Sequence, residues 1–444
     1  MKVTRLKVLF AGSVVVLTLL WLLSLPPGAF TGGFWPARGA LVNYAGILAI
    51  AFMALALILA ARPVQIEGAL TGLDKFYRLH RWFGVAAAAA AILHWLFEVA
   101  PRWLVRAGIL ERPQRRAPPP EAAAGFDPFR DLREVAAGIG EIGIWLLLIL
   151  VILALWKRVP YRHFLKIHKV LAPLYLALVF HGVILMDRAY WTGPVGPILA
   201  IVLASGSVAA VASLFGRIGK SHRAVGAIES LEYYPENEVL DVGVRLSTAW
   251  PGHHAGQFAF VDFGGVEGAH PFTISSAWRR DGRLSFTIKG LGDYTRALPG
   301  QLFVGQAVTV EGPYGRFDFQ GEGRRQIWIA GGIGITPFIA GLQALADEGR
   351  RAPVDLFYST RAPSAPFIEN IRRLAEEAGV GFHLTIEQRD GFLTLDRIEE
   401  RVPDWMEADV WFCGPIGFSR AIYAAMAARG FPESRFHQEL FQMR

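Results

Sequence analysis

Two hydrophobic patterns divide the chain. Up to about residue 218 apolar positions run on without alternation, whereas after about residue 222 they come in short alternating stretches punctuated by Gly and Pro. A helix needs about 20 mostly apolar residues to cross a bilayer. On that measure the first part predicts six spans, at about 7–25, 40–61, 80–99, 136–156, 164–186 and 194–215. The first run follows Met-Lys-Val-Thr-Arg-Leu-Lys, so a cleaved signal peptide is the alternative reading. Its apolar stretch, Val8 to Leu25, is longer than a signal core, and Leu25-Pro26-Pro27-Gly28 is a poor cleavage site, which favours a retained span.

The second part reads differently. Residues 258–263, 284–289 and 307–310 alternate as strands of a small antiparallel barrel. From about residue 325, the buried strands 326–330 and 354–358 alternate with helices at 337–349 and 367–378, a βαβ pattern. The expected fold is therefore a multi-domain membrane protein: an all-α six-helix bundle over 1–218, a small antiparallel β-barrel over 222–322 and an α/β nucleotide-binding domain over 323–444.

Charge changes this picture in two ways. Residues 1–223 hold 24 Lys+Arg against 10 Asp+Glu, and residues 224–444 hold 21 against 28. The basic excess thus belongs to the apolar part and flanks spans; it is not a nucleic-acid footprint. Lys and Arg near span ends are retained in the cytoplasm. Lys2, Arg5 and Lys7, the loop with Arg62 to Arg81, the loop with Lys157 to Lys166, and the exit with Arg217, Lys220 and Arg223 all fall on one side of six spans. Both termini are therefore expected to be cytoplasmic, in a multi-pass cell membrane protein. The loop 100–135 goes against the rule with seven Arg outside, offset by five acidic residues. A single cysteine, Cys413, excludes an internal disulfide and a thiolate metal cage.

Histidine inside a span is costly and points to function. His80 and His94 share span three, and His168 and His181 share span five. Spacings of 14 and 13 residues put each pair about 20 Å apart along its helix. Spans three and five run the same way, so His80 is expected to face His168 and His94 to face His181. Neutral imidazole is a good axial ligand for haem iron, and Ala86–Ala91 leaves room for flat macrocycles. One mismatch stands: 13 residues miss the same helix face by about 140°. Pro173 lies between His168 and His181 and offers a kink; His163 is in phase with His181 but at the wrong height. Histidines hydrogen-bonded within the bundle are the plain alternative.

With these histidines, Tyr161-Arg-His-Phe and His181-Gly182, the chain resembles the bacterial NADPH oxidase and ferric reductase family, a six-span haem domain fused to a ferredoxin–NADP reductase-like dehydrogenase. His270-Pro271-Phe272-Thr273-Ile-Ser275-Ser resembles its flavin strand, which implies FAD along Phe272 and Thr273, with the Thr273 hydroxyl near N5. Lys289-Gly-Leu-Gly292-Asp-Tyr-Thr295 resembles its pyrophosphate segment, where amides after Gly292 meet phosphate at a helix start. Glu311-Gly-Pro-Tyr-Gly315 closes the barrel as in that family.

Gly331-Gly332-Ile-Gly334-Ile-Thr336-Pro337 departs from G-x-G-x-x-G by ending in Pro, a residue favoured in a helix's first turn. Followed by Phe412-Cys413-Gly414-Pro415, it implies a nicotinamide site beside the flavin. Ser359-Thr360-Arg361 closes the second strand, and a hydroxyl plus Arg suits a 2′-phosphate, so NADPH is preferred over NADH. Phe441 resembles the C-terminal aromatic that stacks on the flavin, although Gln442-Met-Arg444 extends beyond it.

Hydride carries two electrons and haem iron takes one, so a flavin between them is chemically required. The expectation is a transmembrane NADPH oxidase, passing electrons from NADPH through FAD and two b-type haems to O2, with superoxide as product. Ferric-chelate reduction is the alternative acceptor chemistry. Arg38 resembles an oxidase Arg near the outer haem, where it would stabilise an anion or pair with a propionate. Glu98 stands where oxidases carry His, and a carboxylate favours ferric complexes over superoxide. A channel or transporter with a regulatory nucleotide-binding domain is the reading from another class; a reductase merely anchored in the membrane would need one span, not six. No nucleic acid and no obligate protein partner are expected.

Overall fold

The computed structural model describes residues 3–62, 73–111, 126–156, 158–159, 161–265, 267–321, 325–349 and 353–439. It divides into two compact units, Met1–Ile218 and Gly219–Arg444.

The first unit is all helix: α1 (Val3–Leu23), α2 (Phe34–Ala60), α3 (Leu73–Arg106), α4 (Arg133–Leu155), α5 (Tyr161–Lys169), α6 (Leu171–Leu185) and α7 (Val195–Leu214). Six segments among the described residues are long and apolar enough to cross a membrane, α5 and α6 together making one of them. In hydrocarbon every backbone polar group must be satisfied within the segment, which a helix does. Large apolar side chains such as Val8, Leu19, Ile142, Ile152, Ile201 and Val208 face outward. The interior is built on small residues: Ala51 and Ala54 are fully buried, and a Cβ on Gly206 would lie 2.5 Å from the Tyr175 hydroxyl oxygen. Close helix approach through small residues is how membrane bundles pack.

The fifth span is broken where its spacing needs it. Pro173 has no N–H to offer the carbonyl of Lys169, and the helix stops at Lys169 and restarts at Leu171. The Val170 amide instead donates to Ile167 O at 3.1 Å, a tighter turn. The third span exceeds its expected limits, continuing to Arg106 into the loop predicted over 100–135, and that loop also holds a short helix, Pro128–Asp131.

The second unit begins with a six-stranded sheet: β1 (Arg223–Tyr234), β2 (Val239–Leu246), β3 (Phe258–Asp262), β4 (His270–Thr273), β5 (Arg283–Lys289) and β6 (Ala307–Tyr314), with helix α8 (Asp293–Gln301) between the last two. Their order is β4-β3-β6-β1-β2-β5, all antiparallel. An Ile274–Phe286 bridge joins the two outer strands. Period-two alternation points Leu240, Val242, Val244, Leu284, Phe286, Ile288, Val308 and Val310 into one core.

A five-stranded parallel sheet follows: β7 (Gln326–Gly331), β8 (Val354–Thr360), β9 (Gly381–Ile386), β10 (Asp409–Cys413) and β11 (Phe436–Glu439). Helices α9 (Thr336–Glu348), α10 (Ala365–Ala378) and α11 (Ile416–Ala428) cover it. The order is β11-β10-β7-β8-β9. Chain order reverses between β7 and β10, and ligands of such sheets bind outside the strand carboxyl ends at that switch point.

Candidate functional site

In the membrane unit, α3 and the broken α5–α6 rod bring the four histidines together in the expected pairs. The ring centres of His80 and His168 lie 5.8 Å apart, and those of His94 and His181 lie 6.1 Å apart. Three of the rings are oriented by backbone carbonyls. His80 Nδ1 donates to Ala56 O at 2.8 Å, His94 Nδ1 to Val42 O at 2.8 Å, and His181 Nδ1 to Ala136 O at 2.7 Å. A proton held on Nδ1 leaves Nε2 with its lone pair, the arrangement that metal-ligating histidines have. His168 differs: Phe164 stacks on it at 5.0 Å, and its Nδ1 is buried without a hydrogen-bond partner. His163 is exposed. These ring-centre spacings leave room for one metal ion between the two imidazoles of a pair, each bond being about 2 Å. The donor set therefore fits two bis-imidazole haems, one above the other. Among the described residues no cluster of three or more His, Cys, Asp or Glu could hold a metal ion.

At the N-terminal end of α2, Arg38 is already engaged. Its Nε donates to Phe97 O at 3.0 Å, and its guanidinium forms an ion pair with Glu98. Arg102 pairs with the other Glu98 oxygen at 3.0 Å. The two residues that the sequence singled out separately thus form one Arg–Glu–Arg cluster.

In the barrel, β4 carries His270, Pro271 and Phe272 half-buried, with Thr273 and Ser275 buried. Tyr294 stacks on His270 at 4.0 Å between ring centres. Burial holds His270 below its usual pKa, so its imidazole is neutral at pH 7. The segment after Lys289 turns at Gly292 into α8, whose first intrahelical bond is Arg296 N to Gly292 O at 3.0 Å. The amides of Asp293, Tyr294 and Thr295 precede that bond, the position at which a helix start can take an anion. The Thr295 hydroxyl faces its own loop, accepting from Leu291 N at 2.9 Å and Gly292 N at 3.1 Å. It shapes this helix start from within.

The nucleotide motifs converge at the switch point. Cys413 sits opposite Ala330 across the β10–β7 pairing. A Cβ on Gly334 would lie 2.2 Å from Cys413 O, and one on Gly331 would lie 2.8 Å from Pro415 Cδ. Gly332 has φ +55, which glycine adopts without strain. A Cβ on Gly414 would lie 3.0 Å from the Gly331 backbone. Thr336 and Pro337 open α9, the Thr336 hydroxyl donating to Ile333 O at 3.1 Å. Cys413 is fully buried. Ser359 and Thr360 are buried at the end of β8, while Arg361 is exposed and pairs with Glu387 at 3.1 Å. Phe441 lies outside the described residues.

Residues 45–179 match the family described as "Ferric reductase like transmembrane component", and residues 225–318 match "FAD-binding domain". The chain thus carries a ferric reductase-like transmembrane domain followed by an FAD-binding domain. It is 30% identical over 205 residues to the stachydrine N-demethylase reductase subunit Stc4 of Rhizobium meliloti, covering 43% of this chain and 58% of that one. It is 31% identical over 173 residues to the flavohemoprotein of Deinococcus radiodurans, covering 36% and 43%. The chain spans about half the length of the curated relatives it matches. Among solved structures, a flavohemoglobin from Malassezia yamatoensis matches with a TM-score of 0.48 at 17% identity, covering 91% of this chain and 97% of that one. The protein thus combines a ferric reductase-like part, with six helices long and apolar enough to cross a membrane, and an FAD-binding domain.

Several contributors were not singled out from the sequence. The carbonyls of Val42, Ala56 and Ala136 carry no side-chain signal. Gly140 does: it stands in Gly138-Ile-Gly140-Glu-Ile-Gly143, a glycine repeat inside an apolar span. Tyr294 and Glu387 are recognised only through their contacts with His270 and Arg361.

Proposed function

We propose that the protein is a transmembrane NADPH oxidase that takes electrons from cytoplasmic NADPH through FAD and two b-type haems to molecular oxygen at the outer face. The overall balance is NADPH + 2 O2 → NADP+ + H+ + 2 superoxide. The observation that carries this reading is the paired histidine geometry, 5.8 Å and 6.1 Å between ring centres, with three rings turned by carbonyls. When bound, flavin accepts an electron pair and releases it singly, and bis-imidazole haem carries one electron at a time.

The chain's own residues have separable tasks. His80 and His168 would hold one haem, His94 and His181 the other. The amides after Gly292, with Lys289, bind the flavin pyrophosphate, and Thr273 and Ser275 line its ring. The turn Gly332-Ile-Gly334 and the α9 start at Thr336 and Pro337 receive the dinucleotide phosphates, with Ser359 and Arg361 at the 2′-phosphate. Cys413, Gly414 and Pro415 abut that turn and bound the nicotinamide position. The distribution of Lys and Arg supports cytoplasmic termini.

Ferric-chelate reduction is the second reading, favoured by one contact. Glu98 neutralises Arg38, which lowers the positive field available to a developing superoxide. Purified protein should show two haems by iron analysis and reduced-minus-oxidised spectra, and dye reduction sensitive to superoxide dismutase. His94→Leu or His181→Leu should remove one haem and stop outward transfer. Iron-free, fully folded protein would refute the proposal. Dismutase-insensitive reduction of ferric chelates would select the second reading.

A further inference from the structure

Three of the four intramembrane rings share one device, and the fourth lacks it. Ala56 and Val42 on α2 meet His80 and His94 on α3 in antiparallel order, so a single neighbouring helix serves both rings through its carbonyls. The residue four places after each orienting carbonyl is small: Ala60 after Ala56, Gly46 after Val42, Gly140 after Ala136. That residue donates the carbonyl's own helical hydrogen bond, and its short side chain lets an imidazole reach the same oxygen. At Gly46 an added Cβ would lie 3.1 Å from His94 Nδ1.

His168 meets no such surface. Helix α4 runs antiparallel to α6, with Gly140 against His181 and Gly143 against Leu178 and Leu174. The buried positions that continue this face of α4 are Leu147 and Leu150, whose branched side chains keep an imidazole off the backbone. On its own helix, Phe164 stacks on the His168 ring at 5.0 Å. The His168 Nδ1 is left buried without a hydrogen-bond partner among the described residues.

A carbonyl that accepts from Nδ1–H makes the imidazole a stronger donor through Nε2. Stronger donation favours ferric over ferrous iron, so hydrogen bonding around the ligands is a lever on haem potential. The pair His94/His181 has two such bonds and the pair His80/His168 has one. Charge acts in the same direction. Arg81 and Lys169 adjoin the two ligands of the less bonded pair, whereas Glu98 stands one turn after His94 and neutralises Arg38. Arg81 and Lys169 are exposed, so solvent screens them and the hydrogen bonds dominate.

We propose that the haem held by His80 and His168 is the more easily reduced of the two, because His168 alone lacks a carbonyl partner. In a half-reduced protein the single electron then resides on that iron, ferrous, with the other iron ferric. The second electron to arrive occupies the His94/His181 haem, which is the stronger reductant. The inference rests on the haem ligation proposed above.

The test is an anaerobic potentiometric titration of full-length, haem-loaded protein, read from the absorbance of reduced haem. His94→Leu retains the His80/His168 haem, and His168→Leu retains the other. The reduction equilibrium constant of the first should exceed that of the second at least tenfold, 59 mV for one electron. The parent should titrate in two steps of equal amplitude with the same separation, a measurement that needs no variant to fold. In the His94→Leu background, Phe164→Gln places an amide oxygen beside the His168 ring and should lower the constant at least threefold. Phe164→Leu, which offers no acceptor, should change it less than twofold. If Phe164→Gln fails to fold, Phe164→Asn carries the same expectation. A separation below tenfold, the opposite order, or Phe164→Gln behaving as Phe164→Leu does would each overturn the proposal. Retention of both haems by His168→Leu would refute the ligation itself and this inference with it, a result distinct from two haems that titrate together.

Discussion

The imidazole of His181 fills the space that a side chain at Gly140 would need: a Cβ there would lie 2.2 Å from its Cε1 and 2.4 Å from its Nδ1. Ala136, whose carbonyl orients the same ring, stands one helical turn earlier on α4. One face of α4 thus both shapes the space around His181 and aims its ring.

Gly140→Ala should therefore expel His181 from its position without removing it from the sequence. The expected outcome is a fall from two haems per chain to about one, read by haem extraction against protein concentration. At Gly46 the corresponding approach to His94 Nδ1 is 3.1 Å, a gap that a small shift relieves. Gly46→Ala should keep both haems.

Much of the architecture was legible because the two periodicities are physically distinct. Unbroken apolar runs gave the six spans, and alternation gave β3, β5 and β6. β1 was not singled out, and its pairing explains why: a register shift between Ile228 and Ser230 inverts its alternation midway. The histidine pairs were readable from spacing, and the 140° mismatch resolves into the break at Val170. Backbone carbonyl partners were not readable, since any residue supplies one. Nor was the engagement of Arg38 by Glu98 or of Arg361 by Glu387, because sequence separation does not disclose which surface charges meet.

Asp241 gives a pH signature to the reductase unit. Its Oδ1 is buried without a hydrogen-bond partner, Thr287 bonds the carboxyl from β5, and Glu232 faces it from β1. Burial, with Glu232 adding like charge, pushes its pKa up to about 6 from 3.8. The folded state thus binds this proton more tightly than the unfolded state. Its contribution to stability is full below about pH 4 and is lost as pH rises through about 6, by up to about 3 kcal/mol, reduced by solvent screening. Asp241→Asn should accordingly raise the melting temperature at pH 8 and leave it nearly unchanged at pH 4. A lower melting temperature at pH 8 would contradict this account.

Gly334 tests whether the two nucleotide motifs act as one surface. With Cys413 O only 2.2 Å from where an added methyl would sit, Gly334→Ala must push the turn away from β10. Overpacking of this kind costs about 1–3 kcal/mol. The cost falls on the dinucleotide turn, so KM for NADPH should rise at least tenfold and flavin reduction should slow. Haem content and spectra should be unaffected, since no histidine is touched.

Arg361 offers a test of the choice between the two nicotinamide coenzymes. Its side chain is 76% exposed and paired with Glu387, which is 22% exposed. An exposed ion pair is worth at most about 1 kcal/mol, so a 2′-phosphate carrying more charge than one carboxylate can displace Glu387. Removing the cation by Arg361→Ala should raise KM for NADPH about tenfold and leave that for NADH unchanged. Removing the competitor by Glu387→Gln should act in the opposite direction, lowering KM for NADPH by about two- to fivefold. Steady-state kinetics with both coenzymes separates these effects from a general loss of folding, which would move both constants together. If Arg361→Ala affects NADPH and NADH equally, the 2′-phosphate is bound elsewhere and the coenzyme preference derived from Ser359 and Arg361 fails.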